Sequence, residues 1–191
     1  MKSRKATLLV NWIKQRVPNK DLVLKIVKYP ESILRNRCAP VEKISKEIID
    51  LADDMIETMK KADGIGLAAN QVGSHMRIFV MNTTPYEDTP IPSVFINPEI
   101  LNQEGTIVEE EGCLSFPELY LKITRYEKVR LHANNLYNED IVYETSGLLA
   151  RAIQHEIDHL NGIVFIDRAM QEDEQVIKDY LRNLKTNVET K

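Results

Sequence analysis

Apolar and polar positions along the chain follow two rhythms. After Ser45, a residue type suited to a helix N-cap, Ile48, Leu51, Ala52, Met55, Ile56 and Met59 recur at helical spacing. That predicts a helix, with Gly64 where it should stop. A second helical stripe begins after Gly147, runs through Leu148, Leu149, Ile153, Ile157 and Leu160, and ends at Asn161-Gly162. A third helix is predicted from about Glu172 to Asn187, with Val176, Ile177, Tyr180, Leu181 and Leu184 on one face. Its acidic start and basic later turns suit the helix dipole.

Between these stripes the pattern shortens to strand-like runs. Leu22–Val27 alternates weakly and ends at Tyr29-Pro30, and Arg77–Met81 and Ser93–Asn97 flank a loop rich in proline around Pro85, Pro90 and Pro92. Further strands are predicted at Gly105–Glu109, across Leu121–Ala133 and at Asp140–Thr145, with Asn134, Asn135 and Asn138 forming turns. There is no internal repeat. The fold class is therefore α+β, with short antiparallel sheets surrounding a central helix and a further helix at the C-terminus.

Bulk composition changes this picture little. The chain has 191 residues, enough for one domain with a real core, and its 43% hydrophobic and 28% charged residues argue against disorder. No apolar run approaches the roughly 18–20 residues of a membrane span. Charge is more informative. Residues 1–20 hold Lys2, Arg4, Lys5, Lys14, Arg16 and Lys20 and no acid, which leaves 19 basic against 29 acidic residues in the rest. A body this acidic does not suggest nucleic-acid binding by the domain itself. The organisation expected is a basic extension at 1–20, a main domain at 21–170, and a C-terminal helix and tail at 171–191. The extension can be read as a targeting peptide, an arm touching ribosome or RNA, or a plain extension. Two cysteines, Cys38 and Cys113, make no disulfide framework, so the expected location is cytoplasmic, or an organelle if residues 1–20 are a targeting segment.

The strongest chemical signal is Gln154-His155-Glu156-Ile157-Asp158-His159. Histidines four apart lie on one helix face, so their rings can converge on one ion. Glu156 is rotated about 100° from His155, outside the ligand set but within reach of a water held on the ion. A chance pair of histidines is the bland alternative, but the apolar flanks would bury it, and unpaired histidines in a core are costly. A third ligand is needed. No His follows His159, leaving Asp167, Glu172 or Glu174 downstream, or Cys113 in Glu111-Gly112-Cys113-Leu114-Ser115 upstream. A lone cysteine is ordinarily a small buried hydrophobe, and Cys38 is read that way. Gly64-Ile65-Gly66-Leu67-Ala68-Ala69-Asn70-Gln71 allows close backbone approach and ends in an amide donor, but lacks the lysine and hydroxyl of a phosphate loop.

These three segments, in this order, resemble the peptide deformylases, and the resemblance runs from about Leu22 to Arg168. It implies an enzyme that removes the formyl group from the initiator methionine of newly made polypeptides. By resemblance Cys113, His155 and His159 hold one divalent metal, and Glu156 is the general base and later the acid. The Gln71 side chain and the Leu114 backbone N–H hold the oxyanion. Ferrous iron is the implied ion, with nickel, cobalt or zinc as substitutes, although His and Cys ligands alone do not discriminate among them. Ile65, Leu114, Arg151 and Ala152 resemble the wall of the methionine pocket, and Gly66 a backbone contact to the peptide. The implied partners are an N-formyl-methionyl nascent peptide and, for the C-terminal helix, the ribosome, with no membrane. Arg125 is a candidate partner for Glu111, with a solvated surface role as the alternative. His75 and His132 are read as structural, and Asp158 as a helix-face residue or a support to the ligands.

Two other functions compete. A thermolysin-like zinc endopeptidase would use the same helix with a downstream carboxylate, and a non-catalytic binding protein would hold a structural metal.

Overall fold

The alternation of side chains in one short strand shows how the domain is layered. The structure is a computed structural model that describes residues 22–82 and 94–189. Its main elements are α1 (Lys46–Lys61), β1 (Gly66–Ala68), a 3-10 turn (Ala69–Val72), β2 (Ile78–Met81) and β3 (Val94–Glu104). There follow β4 (Ile107–Cys113), β5 (Phe116–Arg125), β6 (Lys128–Asn134), β7 (Asp140–Ser146), α2 (Gly147–Leu160) and α3 (Glu174–Glu189). Every residue of β2 is buried. Ile78 and Val80 face α1, packing with Ala52, Met55 and Met59. Phe79 and Met81 face the other way, toward Leu149, Ile153 and Leu160 of α2. One strand thus serves two cores because its side chains alternate.

β1, β2, β3, β6 and β7 form an antiparallel sheet in the order β1-β2-β3-β6-β7, with α1 and α2 on opposite faces. β4 and β5 form a separate two-stranded sheet. Its inward face (Phe116, Leu119, Leu121 and Ile123) packs on Val164, Phe165, Ile177 and Tyr180, so α3 closes the third core. Fully burying each such aliphatic or aromatic side chain contributes about 1.5–3 kcal/mol. α2 lies between the large sheet and the small one, and its second half, from Ile153 to Leu160, is buried all round.

The predicted α+β architecture with a central helix is what the structure shows, and differences lie in the edges. Ser45 stands at the N-cap of α1, but its hydroxyl donates to the Glu47 carboxylate instead of accepting a backbone N–H. The helix stops at Lys61, before Gly64, where Ala62 caps it and Asp63 turns with φ 55°. Leu22–Val27 forms no strand, and the strand expected at Ser93–Asn97 is described from Val94 and runs on to Glu104. The Leu121–Ala133 stretch is two strands, parted at Tyr126-Glu127. β1 has no counterpart among the expected strands. The loop around Pro85, Pro90 and Pro92 and residues 1–20 lie outside the described residues.

The C-terminal end of α2 is held from three sides. Cys38 N–H donates to Leu160 O at 2.9 Å, Arg77 reaches Asn161 Oδ1 at 2.9 Å, and Asn70 Nδ2 donates to His159 O at 2.6 Å. Gly162 follows with φ 75°, packed so closely on the Arg35 carbonyl that a Cβ would sit 2.4 Å from its oxygen. These partners satisfy carbonyls that a helix end otherwise leaves free.

Candidate active site and metal centre

The site is assembled where α2, the turn from β4 to β5, and β1 with its following 3-10 turn meet. α2 presents His155 and His159 one turn apart, with ring centroids 4.9 Å apart. β4 ends at Cys113, and the two-residue turn Leu114-Ser115 follows before β5. Cys113 Sγ lies 3.2 Å from His159 Nε2, and one ligand atom from each of Cys113, His155 and His159 falls within 4.8 Å of the others. His155 Nδ1 is taken by Glu111 Oε2 at 3.2 Å, so Nε2 is its free ligand atom.

These donors fit a divalent transition metal. Bonds of about 2.0 Å to nitrogen and 2.3 Å to sulfur at the tetrahedral angle place neighbouring ligand atoms about 3.5 Å apart, close to the observed contact. Electrostatics agree. Burial pushes the His155 imidazole toward neutrality, but Cys113, Glu111 and Glu156 outweigh it and hold its pKa well above 6.5. Anionic surroundings that favour a proton at His155 equally favour a dication among the three ligand atoms. His159 is driven the other way, first by burial and then by the charges of His155 and Arg125.

Glu156 is buried beside this cluster, and its Oε2 has no hydrogen-bonding partner. Burial, joined by the negative charge of Glu111, raises its carboxyl to about 7 against the pull of His155 and Arg125. A carboxyl poised there can both take and return a proton near neutrality. Gly66 of β1 passes directly over it, since a Cβ on Gly66 would fall 2.5 Å from Glu156 Oε1. Gln71 is buried in the 3-10 turn. Its Oε1 accepts the Ala68 N–H at 2.8 Å, which turns Nε2 toward the cluster, 3.6 Å from Cys113 Sγ and 3.3 Å from Ser115 Oγ.

The cluster opens on a cleft of about 610 Å³ lined by Ile65, Gly66, Gln71, Leu114, Arg151, Ala152 and Glu156, among others. All the pocket residues expected from sequence therefore share one cavity. The alternatives for the third ligand do not reach it: Asp167 pairs with Arg35, Glu172 with Lys122, and Glu174 with Lys178. Cys38 is buried in the core beside Leu160. His132 pairs with Asp140 at 2.8 Å, and His75 supplies its carbonyl to Ala39 N–H.

Behind the cluster, Arg125 is buried, with Nε and Nη2 each 3.1 Å from Glu111 and Nη1 2.5 Å from Asp158. Hydrogen bonds from His155 and Arg125 overcome the burial of Glu111 and hold its carboxyl at about 2. Asp158 also binds Arg168 at 2.7 Å. Arg168 and Asn70 carry no sequence signal of their own, because their partners lie 10 and 89 residues away.

Comparison with known proteins agrees with this geometry. The family model described as polypeptide deformylase matches residues 23–175. The peptide deformylase of Neisseria gonorrhoeae is 46% identical over 160 residues, covering 84% of this chain and 95% of that protein. Among solved structures, a peptide deformylase from Legionella pneumophila superposes with a TM-score of 0.78 at 36% identity, covering 88% of this chain and 99% of that one. The peptide deformylase from Thermotoga maritima gives 0.72 at 42% identity, over 78% of this chain and 98% of that one.

Proposed function

We propose a residue-by-residue mechanism from the premise that this chain belongs to the polypeptide deformylase family. The chain is an enzyme that removes the N-formyl group from newly made polypeptides, releasing formate and a free amino terminus. The observation that carries the assignment is the convergence of Cys113, His155 and His159 next to the buried Glu156 carboxylate, whose Oε2 has no partner.

Cys113, His155 and His159 would hold one divalent ion, with ferrous iron as the proposed native metal and nickel, cobalt or zinc as substitutes. Such an ion would supply Lewis acidity toward the formyl oxygen and the attacking water. Glu156 takes a proton from the attacking water and delivers it to the departing amine, so water and formamide balance against formate and amine. Gln71 Nε2 and the Leu114 N–H donate to the oxyanion as it forms. Ile65, Leu114, Arg151 and Ala152 wall the cleft around the methionine side chain, and the Gly66 backbone lies along the peptide. The closeness of Gly66 to Glu156 supports that placement, because a peptide hydrogen-bonded to β1 would pass the base directly.

The deciding experiment uses formyl-Met-Ala-Ser and protein loaded anaerobically with iron or nickel. Free amine should accumulate, and Cys113→Ser should lose both the metal and the activity. A variant that kept both would point to a carboxylate ligand and a peptidase instead.

The catalytic domain is proposed to span residues 21–170, with a separate basic extension and a C-terminal helix. Deleting residues 1–20 should leave activity on a small peptide within a few-fold. No described helix is long and apolar enough to cross a membrane. A nascent-chain substrate places the enzyme where proteins are made: the cytoplasm, or an organelle if residues 1–20 are a targeting segment. Docking of α3 on the ribosome would bring it to that substrate, and loss of ribosome co-sedimentation on deleting α3 would test it.

A further inference from the structure

Three consecutive residues near the start of the described chain bond the backbone carbonyls of the two turns that carry Gln71 and Leu114. Val27 N–H donates to Gln71 O at 2.7 Å, and Tyr29 N–H donates to Ser115 O at 3.0 Å. Between them the Lys28 ammonium donates to Leu114 O at 2.5 Å. Val27–Tyr29 therefore ties the 3-10 turn that carries Gln71 to the turn that carries Leu114. The direct link between these turns is slight, since Gln71 Nε2 and Ser115 Oγ are 3.3 Å apart.

We propose that Val27–Tyr29 is a positioning clip that sets the separation of the two oxyanion donors, with Lys28 as its specific element. The proposal rests on the reading that Gln71 and the Leu114 N–H hold the oxyanion. Lys28 suits the task because its bond goes to the backbone of Leu114 itself. It is also exposed on the wall of the cleft, so its packing contributes little to the core. An oxyanion donor acts in the transition state and not on the bound substrate, so a loosened clip lowers kcat and leaves KM alone. Removing such a donor outright costs on the order of 10²–10³ in kcat. Loosening it should cost less, about tenfold.

The test compares metal-loaded wild type, Lys28→Met, Lys28→Arg and Gln71→Ala on formyl-Met-Ala-Ser, together with their melting temperatures. Lys28→Met keeps the aliphatic stem and removes the donor. It should lower kcat about tenfold with KM within about twofold and an unchanged melting temperature. Lys28→Arg should recover most of the loss. An unchanged kcat in Lys28→Met overturns the clip. So does a rise in KM alone, which would make Lys28 a direct contact to the peptide. A joint fall in kcat and melting temperature that Arg does not rescue would reduce Lys28 to a structural residue. Gln71→Ala separates the premise from the proposal. If it leaves kcat intact, the oxyanion reading fails. If it lowers kcat while Lys28→Met does not, only the clip fails.

Discussion

Gly66→Ala is the sharpest single test of the site, because it adds one methyl group and touches neither a ligand nor an oxyanion donor. The new Cβ would lie 2.5 Å from Glu156 Oε1 and 2.8 Å from both Cδ and Cγ. Ordinary contact begins near 3.4 Å, so the carboxylate must retreat by about 0.9 Å. Gly66 is not among the glycines with positive φ, so alanine is compatible with its backbone. The cost therefore falls on the position of the base. A misplacement of about 1 Å in a catalytic group costs on the order of 10²-fold in rate, which is about 2.7 kcal/mol of barrier. The assay is kcat for amine release from formyl-Met-Ala-Ser, with metal content and melting temperature measured on the same preparation. The expected result is a kcat about 100-fold lower at full metal occupancy and a melting temperature within about 3 °C of wild type. A kcat within threefold of wild type would refute the assignment of Glu156 as the proton carrier. Loss of metal would relocate the effect to the ligands.

Other perturbations probe the frame around the site. Arg125→Met takes one cationic partner from each of the buried carboxylates of Glu111 and Asp158, which keep His155 and Arg168, and should cost about 3 kcal/mol, seen as a melting temperature roughly 10 °C lower. A shift under about 2 °C would mean those charges are hydrated after all. Gly162→Ala forces a Cβ against the Arg35 carbonyl at a φ of 75°, and should cost about 3 kcal/mol or more in chemical denaturation. A neutral result would show that residues 35–36 yield easily. Stripping the metal with a chelator should lower the melting temperature by roughly 10 °C if the ion stands about 1,000-fold above its dissociation constant. The far-UV circular dichroism should not change, and a loss of helix on chelation would contradict a preformed site.

Some of this was legible in sequence and some could not be. The histidine-bearing helix is plain because its apolar stripe and its histidines obey one period, and the small residues from Gly64 to Ala69 mark a close approach. Cys113 becomes a ligand candidate only beside the histidines, since by itself it looks like Cys38. β1 escapes prediction because three residues are too short to show alternation. The Leu22–Val27 segment alternates like a strand, yet its amides are used singly, by Thr58 Oγ1 at Leu24 and by Gln71 O at Val27. The pairing of Arg125 with Glu111 and Asp158 spans 14 and 33 residues, so no local pattern distinguishes it from a solvated arginine. Sequence offers Glu111 only as one of two readings for Arg125, and Asp158 not at all.

The capped end of α2 bears on how long an ion stays once it has arrived. The last turn of a helix ordinarily opens and recloses at little cost, and a ligand there would be released with each opening. His159 sits in that turn, but Asn70, Cys38 and Arg77 hold the carbonyls and cap residue around it. Breathing of the helix should thereby be a less frequent exit route. An ion held by the proposed ligands would instead leave through the cleft, trading protein bonds for water one at a time. Its residence time is then governed by the strength of those bonds and the ion's own ligand-exchange chemistry, so different divalent metals should dissociate from one rigid socket at widely different rates.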